Sequence, residues 1–303
     1  MTDCSRRRFL QLTAATGGAL ALGDLINQVL GLTGRPHKES LTMARLILTG
    51  TTNFYVSPSG NNANDGLSPS TPWQTVQYAT SYMRDKVDLS GYQGIVNLAA
   101  GTYAENVAVC GSVMGGIQFF IKGDETTPGN VIVGTGGNAP GIYTRDFGVV
   151  TVSGVRILGG VQATQCGVVD IGKPGSSTPT VEFGQATGGV HLNAGDSEYI
   201  NVIGPYAVVG DAYYHASGNT FGRVNLGGQA VTLPNSRAFY AFINSSFYGQ
   251  IVANGAETYS GAGAGTGSTG YKYQVAQLGI LVHNNVTFPG SGTFLQNPGM
   301  VFP

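Results

Sequence analysis

The feature that most constrains this chain is a series of short β-branched and apolar runs, each ended by Gly, Asn, Ser or Pro. Examples are GIQFFIKGD, GVVTVSGVRILGG and GRVNLGGQAVTL. The breaks recur about every ten residues, which is typical of many short strands in a sandwich, a barrel or a solenoid. Because no long helical pattern interrupts the series, we expect one main all-β body.

One run shows how a strand can turn a corner. In VVTVSGVRIL the alternation of Val150 and Val152 stops at Ser153-Gly154 and resumes at Val155 and Ile157. Such a change of phase lets the segment after the bend keep its apolar side chains pointing inward. A sandwich has turn signals at the same spacing, so the periodicity alone leaves both folds open. The corner favours a solenoid.

A single helix is predicted near the start of the body. Thr71-Pro72-Trp73-Gln74 has the pattern of a capping box, with Thr71 as the N-cap residue. Four apolar side chains then share one helical face: Trp73, Val76, Ala79 and Met83. The first coil of a β-stack exposes unpaired backbone and apolar core, so we expect this helix to cover it. Trp73, the only tryptophan, is predicted to plug this cap rather than to serve as a sugar platform.

Composition limits the function classes. Charged residues are 10% of the chain, 48 of the 303 residues are Gly, and the net charge is −1. The polar surface must therefore consist mostly of Ser, Thr, Asn and Gln. Without clustered Lys and Arg, nucleic acid is not an expected partner. No apolar run reaches the roughly 18 uncharged residues that a membrane span needs, so no transmembrane segment is expected.

Two cysteines lie in the body, Cys110 and Cys166. A disulfide between them and a pair of buried free thiols are both compatible with the sequence. No Cys and His spacing indicates zinc, so no metal site is predicted. Ca²⁺ would be needed only if the protein were a lyase that holds uronate substrates.

Residues 1–42 are interpreted as a signal or an N-terminal extension. SRRRFL, which contains Arg6 and Arg7, precedes a weakly apolar run and resembles a twin-arginine export signal, with Ala19-Leu20-Ala21 as a cleavage site. This predicts export to the periplasm or the extracellular space. Met43 is a second candidate start, and a chain that began there would lack the signal.

Longer segments resemble a known family. FYVSPSGNNANDGLSPSTPWQTVQYA, with VNLAAGTYAENVAV, resembles the opening of pectin-lyase-like superfamily proteins. MARLILTGTTNFYVSPSG, VTVSGVRIL and GQIVANGAETYSGAGAGTGSTGYKY resemble phage and prophage members, which are often tail-associated. The resemblance implies an all-β, single-stranded right-handed parallel β-helix with a short N-terminal helical cap. Residues 43–90 would form the first strand and the cap, and residues 91–303 the coils, with a Gly-rich loop at 255–270.

The catalytic motifs of the superfamily's pectinases are mostly absent, so the candidate catalytic residues come from the sparse acids. They are Asp196, Glu198, Asp211, His215 and Arg223. Two carboxylates roughly 5 to 9 Å apart can act as acid and as nucleophile or base in glycoside hydrolysis. A lyase would instead use Arg223 or Arg237 as the base, with Ca²⁺ bound by carboxylates. Alternatively, Asp196 and Asp211 terminate turns and Glu198 is solvated.

Tyrosines offer a different function. Tyr199, Tyr206, Tyr213 and Tyr214 cluster in sequence near Asn and Ser, which suits a surface that binds sugars. The leading hypothesis is glycan recognition or a structural role, as a phage or prophage tail component or as an exported relative. The alternative is a secreted polysaccharide lyase or glycoside hydrolase. The resemblance also implies that the chain could be a homotrimer subunit, which the sequence leaves open.

Overall fold

Strands of three long sheets alternate along the chain in the computed structural model, which describes residues 45–116, 118–297 and 299–303. Every strand pairing among these residues is parallel. Each complete coil adds one strand to each sheet, and the fold is a right-handed parallel β-helix. Arg6, Arg7 and Met43, on which the export and start-site predictions depend, lie outside the described residues.

One α-helix, one short 3-10 helix (Pro128–Asn130) and 27 strands are described. The α-helix is α1 (Val76–Lys86). In chain order the strands are β1 (Leu46–Ile47), β2 (Thr52–Val56), β3 (Val87–Asp88), β4 (Gly94–Leu98), β5 (Gly101–Tyr103), β6 (Val107–Cys110), β7 (Phe119–Lys122), β8 (Val131–Val133), β9 (Ile142–Arg145), β10 (Val149–Ser153), β11 (Val155–Ile157), β12 (Val161–Ala163), β13 (Val168–Ile171), β14 (Val181–Phe183), β15 (Ala186–Ala194), β16 (Tyr199–Val202), β17 (Tyr206–Val208), β18 (Ala212–Gly218), β19 (Arg223–Asn225), β20 (Ala230–Thr232), β21 (Ala238–Ser245), β22 (Gln250–Val252), β23 (Thr258–Ser260), β24 (Thr269–Ala276), β25 (Ile280–Val282), β26 (Gly292–Asn297) and β27 (Met300–Phe302).

The strands divide among three sheets and one short pair. Sheet 1 contains β2, β4, β7, β10, β13, β16, β19, β22, β25 and β27. Sheet 2 contains β5, β8, β11, β14, β17, β20 and β23. Sheet 3 contains β6, β9, β12, β15, β18, β21, β24 and β26, while β1 pairs with β3.

The predicted corner is confirmed. β10 ends at Ser153 and β11 begins at Val155, so Gly154 alone joins sheet 1 to sheet 2. Gly154 has φ +71°, and a Cβ there would lie 2.5 Å from the carbonyl carbon of Gly123. Only glycine fits both the left-handed backbone and this close approach. The apolar side chains on both sides of the bend therefore remain in the core.

The helical cap is also confirmed, although it begins later than the sequence predicts. α1 packs against β2 and β6, the first strands of sheets 1 and 3, and buries Val76, Ala79 and Met83 completely. The N-cap residue is Thr75, whose hydroxyl accepts the N–H of Tyr78 at 3.1 Å. Thr71 as N-cap was therefore the wrong prediction.

A distant carboxylate explains the later start. Glu105 accepts the N–H of Val76 at 2.7 Å and that of Gln77 at 3.0 Å. This side chain satisfies two of the free donors at the helix N-terminus from a position about 30 residues away in sequence. Trp73 instead pairs with Val56 as an isolated parallel bridge, and its side chain has no exposed surface. Its predicted role as a buried plug is confirmed.

No disulfide joins the two body cysteines, Cys110 and Cys166. Cys110 is buried, but Cys166 is exposed in a turn between sheets 3 and 1, so the expectation of two buried thiols was wrong for Cys166. Within the described part of the chain, no helix is long and apolar enough to cross a membrane.

Candidate functional site

A groove of about 460 Å³ lies on the outer face of sheet 3. Its floor carries one polar side chain from each of four consecutive strands, held in parallel register: Asn193, Ser217, Asn244 and Gln274. These residues come from β15, β18, β21 and β24, so the groove runs along the helix axis across four coils. We call these four residues the polar column.

A local irregularity of the strands shapes the groove. His191 and Leu192 are consecutive in β15 and both fully buried, while Val190 and Asn193 on either side line the groove. A regular strand alternates its faces, so two successive inward side chains mark a local irregularity. β18 has the same irregularity at His215 and Ala216, which are both fully buried, and β15 and β18 keep one register from Val190 to Ala194. The two strands therefore change phase together, which leaves the residues on either side of each buried pair lining the groove.

Hydrogen bonds within the groove orient the polar column. Asn219 donates from its amide nitrogen to Asn193 Oδ1 at 3.1 Å, and Asn244 donates to Ser217 Oγ at 2.9 Å. Tyr214 donates its hydroxyl proton to Gln274 Oε1 at 3.1 Å.

These hydrogen bonds use only some of the donors and acceptors of the polar column. Among the described residues, the amide nitrogens of Asn193 and Gln274 and the amide oxygen of Asn244 have no hydrogen-bond partner. A side-chain amide carries both donors and an acceptor. The floor therefore presents free donors and acceptors to a ligand.

A cluster of tyrosines adjoins one side of the groove, which only Tyr214 among them lines. The rings of Tyr213 and Tyr240 stack in parallel, with centroids 4.8 Å apart and planes inclined by 4°. Tyr214 packs edge-on against Tyr213 at 4.7 Å, and Tyr271 packs edge-on against Tyr240 at 5.7 Å. Tyr213 is 44% exposed and Tyr240 39% exposed. We call these four residues the tyrosine cluster; it joins the groove through Tyr214, whose pKa is raised to about 12, mainly by burial.

Tight turns from sheet 3 to sheet 1 form the opposite border. Thr220 and Phe221 both have positive φ, as do Phe247 and Tyr248 one coil later, which is the backbone of type I′ turns. The turns stack on one another, since the N–H of Phe221 donates to the carbonyl of Phe247 at 3.2 Å. The rings of Phe221 and Tyr248 also stack, at 5.1 Å. Phe247 lines the groove, so aromatic side chains border it on both sides.

The structure places the four predicted tyrosines in three environments. Tyr213 and Tyr214 lie in the tyrosine cluster. Tyr199 is 48% exposed but belongs to β16 of sheet 1, around the turn from the groove. Tyr206 has no exposed surface, so its assignment to a sugar-binding surface was wrong. Tyr240 was not predicted, because its neighbour in space, Tyr213, lies one coil earlier and coil lengths vary.

The five predicted catalytic residues do not form one cleft. His215 lies in the core with no exposed surface. Asp211 comes directly before β18 and accepts the N–H of Ala238 at 3.0 Å. Asp196 comes after β15, so the two acids lie at opposite ends of the strands of sheet 3. Arg223 begins β19 in sheet 1, in register with Tyr199. The predicted grouping of these side chains was therefore wrong.

Asp196 and Glu198 also do not share a face of an extended segment. Asp196 and Ser197 have φ values of +59° and +69°, so the chain reverses between the two acids. Asp196 is exposed, while Glu198 has no exposed surface. Neither the paired-carboxylate prediction nor the alternative of a solvated Glu198 fits this geometry.

Glu198 stands where neighbouring turns have glycine. Gly167 and Gly222 hold the equivalent position in the coils before and after. Glu198 Oε1 accepts the N–H of Cys166 at 2.8 Å, and Oε2 is buried without a partner. Burial raises the pKa of this carboxyl to about 7; the Cys166 N–H opposes the shift, and the nearby charge of Asp196 adds to it.

We expect Glu198→Gln to stabilise the protein at alkaline pH. A carboxyl with a raised pKa favours the fold while it is protonated, and that contribution is lost as the pH rises from about 4.5 through about 7. Glutamine cannot ionise, so melting curves should show a Tm about 2–4 °C above the wild type at pH 8 and no gain at pH 4.5. Asp146→Asn, at the first position of an earlier turn, is the matched control. An equal gain at both pH values would contradict the burial of an ionisable Glu198.

No protein-family model, curated protein or solved structure matches this chain. Within the described residues, no three His, Cys, Asp or Glu side chains are grouped as ligands for a metal ion. The function of the groove has to be inferred from its own residues.

Proposed function

We propose that this protein binds a glycan in the groove on sheet 3, with the tyrosine cluster as the stacking border. The observation that carries the proposal is the combination of free amide groups along the floor with exposed, parallel rings beside it. Sugar rings present apolar C–H faces that pack on aromatic rings, and their hydroxyls both donate and accept hydrogen bonds. A groove with both features suits such a ligand.

We further propose a setting in which the chain meets surface polysaccharides. The twin-arginine-like motif at Arg6 and Arg7 supports export to the periplasm or beyond. The resemblance to phage and prophage members of the pectin-lyase-like superfamily supports a tail-associated role, with translation from Met43 and a homotrimeric assembly. Either setting would bring a glycan-binding β-helix to a cell surface.

Binding is favoured over cleavage by the residues of the groove. Among the described residues that line it, none carries a carboxylate. Hydrolysis of a glycosidic bond commonly uses a carboxylic acid and a carboxylate on either side of the bond. A lyase or hydrolase activity would therefore have to use another surface of the protein.

Glycan-array screening followed by calorimetry tests the proposal. We expect Tyr213→Ala to weaken retention of the bound glycan about tenfold, because it removes one ring of the stacked pair. Tyr92→Ala is the matched control, since Tyr92 is similarly exposed, at 46%, and is not part of the groove. Equal loss in both variants, or no glycan retained by the wild type, would contradict the proposal.

Product analysis on the same glycans tests the enzymatic alternative. Released sugar that disappears with Glu198→Gln, in a variant that melts no lower than the wild type, would favour a lyase or hydrolase. Binding without release, unchanged by Glu198→Gln, is the result that the groove predicts.

A further inference from the structure

The groove is lined without formal charge. Of the described residues that form its floor and borders, none is Asp, Glu, Lys, Arg or His. The polar contacts available there are amides, hydroxyls and backbone groups. Tyr214, the one phenol that lines the groove, is neutral at physiological pH, and burial raises its pKa further, from 10 to about 12.

An anionic sugar would be poorly accommodated in such a groove. A uronate carboxylate that enters it would give up water without meeting a cationic side chain. It would also face the amide oxygen of Asn244, which has no partner among the described residues and carries a partial negative charge. Neutral hydroxyls, in contrast, can donate to that oxygen and accept from the amide nitrogens of Asn193 and Gln274.

The spacing of the polar column suits a polysaccharide chain rather than a single sugar. Its members come from successive coils in direct register. Neighbouring parallel strands lie about 4.8 Å apart, which is comparable to the rise of one sugar residue in an extended polysaccharide. A glycan chain that ran along the helix axis would therefore meet one member of the column per sugar.

We propose that the groove takes an uncharged, extended glycan chain laid along the helix axis, one sugar per coil, and discriminates against polyuronates. This inference rests on the proposed glycan-binding function and names the substrate class and its orientation. Because no cationic side chain lines the groove, it cannot bind a uronate carboxylate through an ion pair. Binding therefore depends on hydrogen bonds to sugar hydroxyls and on stacking against aromatic rings.

Calorimetry with two sets of oligosaccharides tests the inference. The neutral set contains gluco-, manno-, xylo- and galacto-oligosaccharides, and the acidic set contains galacturonate and glucuronate oligomers, each from disaccharide to hexasaccharide. We expect at least one neutral series to bind, with affinity that increases with each added sugar up to the tetrasaccharide and then levels off. The acidic oligomers should bind at least about tenfold more weakly than neutral oligomers of equal length.

A single charge placed in the groove provides the matched variant. Asn193→Asp changes little in size, its side chain is only partly buried, and the Asn219 amide can still donate to it, so we expect the fold to persist while neutral-glycan affinity falls about tenfold. Asn225→Asp is the control because it adds the same charge on β19 of sheet 1, outside the groove. Its affinity should equal that of the wild type.

The outcomes separate this inference from the function on which it rests. Tight binding of uronate oligomers with rejection of neutral ones overturns the inference and leaves glycan recognition standing. Affinity that does not increase beyond the disaccharide overturns the axial orientation. No binding by either set overturns both the inference and the proposed function.

Discussion

Replacing Trp73 by alanine is expected to lower the free energy of unfolding by about 3–5 kcal/mol, the range for truncating a buried aromatic side chain. The indole has no exposed surface and stacks on Phe54 at 5.7 Å. It also contacts Tyr82 at 4.7 Å and donates from Nε1 to the carbonyl of Asn64 at 2.9 Å. Alanine would leave a cavity beneath the cap and an unpaired carbonyl, and the first coil would lose its cover.

Urea denaturation followed by circular dichroism measures this loss, because the variant has no tryptophan for fluorescence. Trp73→Phe should recover much of the stability, since a ring remains in the plug. Tyr92→Ala is the control, since this aromatic side chain is 46% exposed. A loss below about 1 kcal/mol for Trp73→Ala would contradict the role of this residue as the plug of the cap.

The second large expected effect is a loss of stability at acidic pH, which arises from two histidines and one tyrosine that are hydrogen-bonded in the core. His191 Nε2 lies 2.9 Å from the carbonyl of Gly184 and must donate to it, which leaves Nδ1 as an acceptor. His215 donates to that atom from its own Nδ1 at 3.2 Å. His215 Nε2 then accepts the hydroxyl proton of Tyr206 at 2.8 Å. With both imidazoles neutral, every nitrogen in this chain has a partner.

We expect stability to fall as the pH drops below about 6.5. Burial lowers the pKa of His191 from its ordinary value of 6.5 to about 4, and burial together with the neighbouring His191 lowers that of His215 well below 6.5. A histidine whose pKa is lowered in the folded state stabilises the protein fully above pH 6.5. This stabilisation is lost as the pH falls toward the folded-state pKa. For His191 alone the loss is about 3 kcal/mol by pH 4.

Unfolding free energies between pH 7.5 and 4 measure this effect. Glu198 titrates in the opposite sense over an overlapping range, so the series is best recorded on Glu198→Gln. His283→Gln, at a histidine that is not fully buried, is the control and should leave the slope unchanged. Constant stability from pH 7 to pH 5 would contradict a neutral, hydrogen-bonded histidine pair.

Much of the fold can be predicted from the sequence because the patterns that specify it are local. The break at Ser153-Gly154 marks the corner directly, since the apolar alternation resumes one residue later. The apolar face of α1 likewise follows from helical spacing alone. The start of α1 was misplaced because Glu105, which caps it, comes from the first coil and has no local signature.

The site was only partly predictable because it depends on register between coils. Tyr213 and Tyr214 were identified from their local surroundings, but Tyr206 resembles them in sequence and points into the core. Asn244 and Gln274 are neighbours in space at a separation of 30 residues, while Ser217 and Asn244 are 27 apart, so no fixed period identifies the polar column. Asp196 and Glu198 appeared paired only because the left-handed turn between them has no glycine to reveal it.

A crystal structure of the protein with its best-bound oligosaccharide tests the central claim most directly. We predict a sugar chain along the outer face of sheet 3, over Asn193, Asn244 and Gln274, with one ring against the tyrosine cluster. Sugar bound instead beside Tyr199 on sheet 1, or crystals grown at saturating oligosaccharide that hold no sugar in the groove, would contradict it.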